Sequence, residues 1–126
     1  MLNRRAYRVE SAIKPGTAVV QGSTDNQVKA PGHGGAGDFI GVYSFEANET
    51  KNAGDSAGIV LHGLAKAVAG GTVSAGKKAV LKNDVSGSLI ELPQAAGSYK
   101  IVGMFLESGS AGDYLDVFVE RGNITI

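Results

Sequence analysis

The chain of 126 residues predicts an all-β fold, one closed domain made of two pseudo-repeated halves. Three observations carry this reading. Ala53-Gly54-Asp55, followed by Ile59-Val60-Leu61, recurs 58 residues later (55 to 113) as Ala111-Gly112-Asp113, followed by Val117-Phe118-Val119. Apolar residues come in short bursts bounded by Gly, Asn, Asp and Ser, at strand length rather than at the spacing of an amphipathic helix. Glycine is plentiful at 19 residues, tryptophan is absent and only 6% of residues are aromatic, so turns are many and Val, Ile, Leu and Ala must build the core.

The repeat reaches further upstream. Ile40-Gly41-Val42-Tyr43 is answered by Val102-Gly103-Met104-Phe105 at an offset of 62 (41 to 103), and Ala18-Val19-Val20 by Ala79-Val80-Leu81 at 61 (18 to 79). Three matches in one order imply half-units of about 60 residues, at roughly 16–63 and 76–122. Two copies are too few for a solenoid, which leaves a single closed, pseudo-symmetric domain.

Strands are expected at 6–10, 17–21, 39–45, 58–64, 78–82, 88–92, 99–107 and 114–120. The last has the cleanest alternation, with Leu115, Val117 and Val119 on one face and Tyr114, Asp116, Phe118 and Glu120 on the other. Segment 53–69 has some helical potential, but Gly54, Gly58 and Gly63 oppose a helix, so it too reads as strand. Ala-Gly-Asp suits a tight turn, with positive φ at glycine and the aspartate carboxylate accepting an N–H two residues on. Matching the copies puts Ile59 with Val117 and Leu61 with Val119 inside, and His62 with Glu120 outside.

Twelve basic and twelve acidic residues cancel, so no broad positive field steers the protein to nucleic acid or an anionic membrane. Without cysteine there is no disulfide framework or thiolate metal site, which suggests synthesis in a reducing compartment. Arg4-Arg5 is not followed by an apolar core, because Glu10, Lys14 and Pro15 interrupt it, so no signal peptide is expected. Apolar runs such as 101–106 fall far short of a bilayer span.

No constellation for catalysis is legible. Pro31-Gly32-His33-Gly34-Gly35-Ala36-Gly37-Asp38 lacks the lysine, hydroxyl residue and helix of a phosphate loop and reads as a surface loop. His33 and His62 share no metal-ligand spacing. No Gly-x-Ser-x-Gly elbow occurs, and Asp55, Asp84, Asp113 and Asp116 sit in turns or on a polar strand face, where solvation accounts for them. No enzyme, catalytic residue, cofactor or metal is therefore expected. Binding or assembly remains, and a basic start (Arg4, Arg5, Arg8 and Lys14 against Glu10) with an acidic end (Glu107, Asp113, Asp116, Glu120) suits contact between neighbours.

Several motifs resemble one family. Ile40-Gly41-Val42, an Ala-Gly-Asp turn and strand ending at Gly63, Gly71-Thr-Val-Ser-Ala-Gly-Lys-Lys-Ala-Val-Leu81, Ile101-Val102-Gly103-Met104 and the closing Ala-Gly-Asp-x3-Val-Phe-Val-x2-Gly are similar to small capsid cement, or head decoration, proteins of tailed bacteriophages. The match covers about 39–122; the Gly-rich 31–38 and the arginine-rich start depart from it. The resemblance implies a β-barrel or β-tulip-like domain, made in the host cytoplasm, that adds as a homotrimer to the exterior of the expanded virion shell. There it would clamp neighbouring copies of the major capsid protein, with no nucleic-acid or membrane partner. Residues 1–14 would then be an N-terminal arm, with Arg4, Arg5 and Arg8 on capsid carboxylates, and 15–126 the single β domain. The alternative is a small β-barrel module for a glycan or host surface ligand, using loop 31–38 and Tyr43, Tyr99 or Tyr114 as stacking faces; a hydrolase would need polar groups converging in a pocket.

Overall fold

The computed structural model describes residues 3–32, 37–45, 49–82, 84 and 86–125. Among them lie nine strands and no α-helix: β1 (Asn3–Val9), β2 (Ala18–Gln21), β3 (Gln27–Lys29), β4 (Phe39–Val42), β5 (Ser56–Val68), β6 (Lys78–Leu81), β7 (Leu89–Glu91), β8 (Ser98–Phe105) and β9 (Tyr114–Thr125). The all-β barrel expected from the sequence is what the chain forms. β1, β3, β2, β4 and β5 close a five-stranded ring in which β1 runs parallel to β3 and all other neighbours are antiparallel. Its interior is packed by Tyr7, Val9, Ile13, Val19, Val28, Tyr43, Ala57 and Ile59.

From Gly63 onward β5 leaves its first partners and pairs with β9, and β9, β8, β6 and β7 then repeat the order of the first ring. Gly63 has φ 111, a left-handed value that glycine adopts without strain, at the point where the strand changes rings. Registers match one for one. Tyr7 faces Ala57 as Ala67 faces Leu115. Val19 faces Gly41 as Ala79 faces Gly103, and both strands bulge at the next step. Lone pairs Ile13–Lys51 and Val73–Gly109 also correspond. Ala79 is thus the counterpart of Val19, one step from the alignment expected at Ala18, whose true counterpart is Lys78.

Four tight turns recur at 14–17, 52–55, 74–77 and 110–113, the fourth N–H bonded to the first carbonyl in each. Their third residues, Gly16, Gly54, Gly76 and Gly112, have φ of 89 to 91, the mark of a type II turn. Asp55 and Asp113 close their turns differently from expectation. Each carboxylate reaches backwards, accepting the N–H of Asn52 (2.8 Å) or Ser110 (2.9 Å).

The rings differ at one seam. In the first, the Arg8 N–H donates to the Asn26 carbonyl at 2.8 Å and draws β1 onto β3. In the second, Val68 stands where Arg8 does and Gly87 where Asn26 does, but Val68 donates to the Gly16 carbonyl (3.0 Å) and the Gly87 carbonyl accepts from Ala18 (2.8 Å). The start of β2 therefore wedges into the second ring, which beyond it closes through the Ala69–Leu89 pair. The Ser44 hydroxyl accepts the Lys66 N–H at 2.9 Å, and Phe45 stacks on Tyr114 with ring centroids 3.9 Å apart. Ala18, Val42 and Val60, on the outside of the first ring, join the second-ring interior (Ala67, Ala69, Leu89, Phe105, Val117) in one apolar cluster.

Two further expectations need correction. The first 14 residues are not an arm: β1 is a wall of the first ring, and Tyr7, Val9 and Ile13 are core residues. The strand expected at 58–64 runs from Ser56 to Val68, because it serves two rings in succession.

Candidate interaction surface

Two outer faces and one groove carry the exposed chemistry. On the first ring, Arg4, Arg5 and Arg8 are exposed along β1. Arg4 lies over Gly58, where the absent side chain leaves room for its aliphatic stem. Arg5 sits 5.0 Å from the Tyr7 ring centroid and donates to the Asn26 side chain; Arg8 donates to the Gly54 carbonyl at 3.1 Å. None of the three forms an ion pair among the described residues. All three stay on the surface, fixed to a barrel wall.

The second face is the outside of β5, β9 and β8. Phe118 is flanked by Leu64 and Met104 on the neighbouring strands. Leu64 is 51% exposed, Met104 40% and Leu106 41%, so large apolar groups meet water here. Below them Lys66 lies 3.2 Å from Asp116 and 4.0 Å from Glu107, one cation between two carboxylates. Register makes Met104 the counterpart of Val42 and Phe118 that of Val60, both of which are fully buried against the second ring. Equivalent positions are therefore covered in one ring and open in the other.

Between the faces lies a groove of about 700 Å³ lined by Asp38, Phe39, Leu61, His62, Lys100, Ile101 and 120–122. His62 faces outward with Glu120, their side chains 3.6 Å apart, and its ring meets Phe118 edge-on. Lys100 pairs with Asp38 at 3.3 Å. Those contacts tie the groove together without setting a nucleophile beside a base.

The other singled-out residues do not converge. Asp55 and Asp113 close turns, Asp84 accepts the Ser86 N–H and hydroxyl, and Asp116 pairs with Lys66. Those Ser86 bonds hold the Asp84 carboxyl below its ordinary range. Among the described residues no three His, Asp or Glu side chains gather as metal ligands. His33 and residues 34–36 of the Gly-rich segment lie outside the described residues. Tyr43 is 1% exposed, and its hydroxyl donates to the Glu49 carbonyl at 2.6 Å; burial pushes its phenol above its ordinary value. Tyr99 bonds Ala95 and Tyr114 covers Phe45, so the three tyrosines offer no shared stacking site.

No protein-family model matches the chain, and no curated protein matches it. A solved structure does. The N base of the head fiber gp8.5 of bacteriophage phi29 superposes with a TM-score of 0.63 at 13% identity, covering 100% of both chains. The two proteins share a fold from end to end.

The second-ring face escapes a reading of the sequence, although its signal is present. Setting Ala18, Val42 and Val60 against Lys78, Met104 and Phe118 replaces three covered apolar residues with longer, partly exposed ones.

Proposed function

We propose that this chain is a structural protein of a tailed-phage virion, placed as a homotrimer on the outside of the expanded head, where it cements neighbouring major capsid subunits. The observation that carries the proposal is the full-length likeness in fold to the base of a phage head fiber. Described side chains that pair with one another instead of converging on a reacting centre support a non-enzymatic role. In this reading Arg4, Arg5 and Arg8 meet carboxylates of the shell from a rigid wall, and rigidity favours affinity because little side-chain or loop freedom is lost on docking. Synthesis is in the host cytoplasm, and neither cofactor, nucleic acid nor membrane takes part.

The test is to incubate the purified protein with expanded, undecorated heads, sediment them and count bound copies per major capsid subunit. Saturation at a fixed simple ratio, with heads gaining resistance to heat or low salt, is the expected result. Absence of binding to such heads overturns the proposal.

A further inference from the structure

At Gly63 strand β5 passes from one ring to the other, and the passage leaves two strand edges without a neighbour. In the second ring β8 stays with β9 on both sides of its bulge, 103–105 against 117–119 and 98–101 against 122–125. The first ring cannot do the same. β4 meets β5 only at Val42 and Val60, and the residue that register would set opposite Phe39, Leu64, is already paired with Phe118. The edge of β4 at Asp38 and Phe39 is thus deserted on that side. β9 is deserted by the same step: beyond Val119 no strand among the described residues pairs with it on the side that β5 has left.

Between the two deserted edges lies the groove of about 700 Å³, lined by Asp38 and Phe39 of one, by 120–122 of the other, and by Leu61 and His62 of β5. Side chains stand there where main chain would. The Phe39 carbonyl is met by Arg121 Nη1 at 3.5 Å, the outer limit of a hydrogen bond, and Lys100 reaches Asp38 at 3.3 Å.

We propose that this groove receives an extended peptide segment of another protein, which lies along β9 at 120–125 as an added strand and presents an acidic side chain to Arg121. Main-chain chemistry argues for the strand. An edge with one neighbour turns alternate N–H and C=O groups toward its empty side, and an added strand satisfies them in series. Six residues of edge, at about 3.3 Å each, make a track of roughly 20 Å, a length suited to a peptide. A Cβ placed on Gly122 would meet only Ile101, at 4.0 Å, so a second backbone can approach this edge closely. Charge argues for the acid. Lys100 has Asp38 and His62 has Glu120, whereas Arg121 has no ion pair among the described residues. A carboxylate meets a guanidinium through two parallel hydrogen bonds, a better partner than one distant carbonyl. The Lys100–Asp38 pair is well exposed on both sides, so moving it aside costs little. This inference does not rest on the virion role, since it follows from the path of β5.

The test is a titration of the isotope-labelled whole chain with capped heptapeptides of alternating Val and Thr whose central residue is Asp or Lys, followed by amide NMR. The Asp peptide should shift the amides of 38–39, 61–62 and 120–125, and the Lys peptide should bind at least about tenfold more weakly. Methylating alternate peptide nitrogens, in each of the two phases, separates strand pairing from adsorption. The phase that blocks the side toward β9 should weaken binding at least about tenfold, because main-chain acceptors are left unpaired. Arg121→Glu should reverse the preference between the two peptides, its own amide spectrum confirming the fold. The inference is overturned by an absence of shifts with either peptide up to about 1 mM, by shifts centred on the Phe118 face, by two methylated forms that bind as well as their parent, or by an Arg121→Glu variant that still prefers Asp. A wild type that sediments as a dimer which neither peptide disturbs, its groove filled by a second copy, overturns it as well. Failure of head binding with the peptide preference intact would overturn the cement reading and leave this one standing.

Discussion

Gly103 lies against the main-chain carbonyl of Phe118 so closely that a side-chain carbon would overlap the oxygen. Gly41 stands in the same relation to Val60 in the first ring. Gly41 and Gly103 pair with Val19 and Ala79 just before the bulges of β2 and β6, and their missing side chains let β4 and β8 lie close against the long strands β5 and β9. Replacing either by alanine forces main chain, not a flexible side chain, to move. Gly41→Ala and Gly103→Ala should each cost about 2 to 3 kcal/mol, measured by urea unfolding. Gly54→Ala, whose new methyl meets nothing within 4 Å but whose φ is 90, should cost only about 1 kcal/mol. Equal losses at all three positions would refute the close-approach account.

Removing β1 should be far more damaging than trimming an arm. Tyr7 and Val9 fill the first ring, and β1 supplies the strand that closes it. A chain lacking residues 1–9 should lose the dispersed amide spectrum of the first ring and, through β5, most of the second. A well-dispersed spectrum from that truncation would contradict the assignment of β1 as a wall.

At the seam, Ser44 is fully buried and its hydroxyl takes the Lys66 N–H. Ser44→Ala leaves that N–H without its acceptor, a loss of about 1 to 2 kcal/mol in thermal unfolding. Val at the same position should cost more, because it adds volume without restoring the acceptor.

Acid should weaken the fold through Glu10. Ser23 holds this carboxylate, its N–H 2.6 Å from Oε1, and with Lys29 3.9 Å away the carboxyl sits below its ordinary value of 4.5. For a group whose folded value is depressed, the contribution is complete above the unfolded value and fades as pH falls through the folded one. Denaturant midpoints should therefore drop below about pH 4.5 and be flat from there to neutrality as far as Glu10 is concerned. Glu10→Gln should lower the midpoint at pH 6 and shrink the difference between pH 6 and pH 3; an unchanged difference would remove Glu10 from the account.

How much is legible in the sequence depends on which residues carry the repeat. Ala-Gly-Asp and the paired Gly41 and Gly103 announce it because turn geometry and close approach admit few alternatives. Simple alternation puts His62 and Glu120 outside, and they face each other there. β3 leaves no such mark: its three residues Gln27–Lys29 are mostly polar, and the positive φ ahead of it falls on Asn26, φ 64, where Gly87 marks the same place in the second half. Turns 14–17 and 74–77 share only their glycine, so their kinship emerges from hydrogen bonding alone. β1 is half legible, as a strand at 6–10 yet also as part of an arm, because three arginines outweigh two core residues by eye. The exposed face around Phe118 is harder to read: its longer side chains at Lys78, Met104 and Phe118 are visible in the sequence, but that Ala18, Val42 and Val60 are covered in the other ring is a matter of tertiary packing.

One strand belonging to both rings has a mechanical meaning. Along Ser56–Val68 the backbone is gripped in turn by β1 and by β9, so a pull applied to one ring is delivered to the other as shear across many hydrogen bonds loaded in parallel. No hinge loop lies along that path to yield first. In the role proposed above, a particle wall that strains under internal pressure would meet a tie and not a bead on a string.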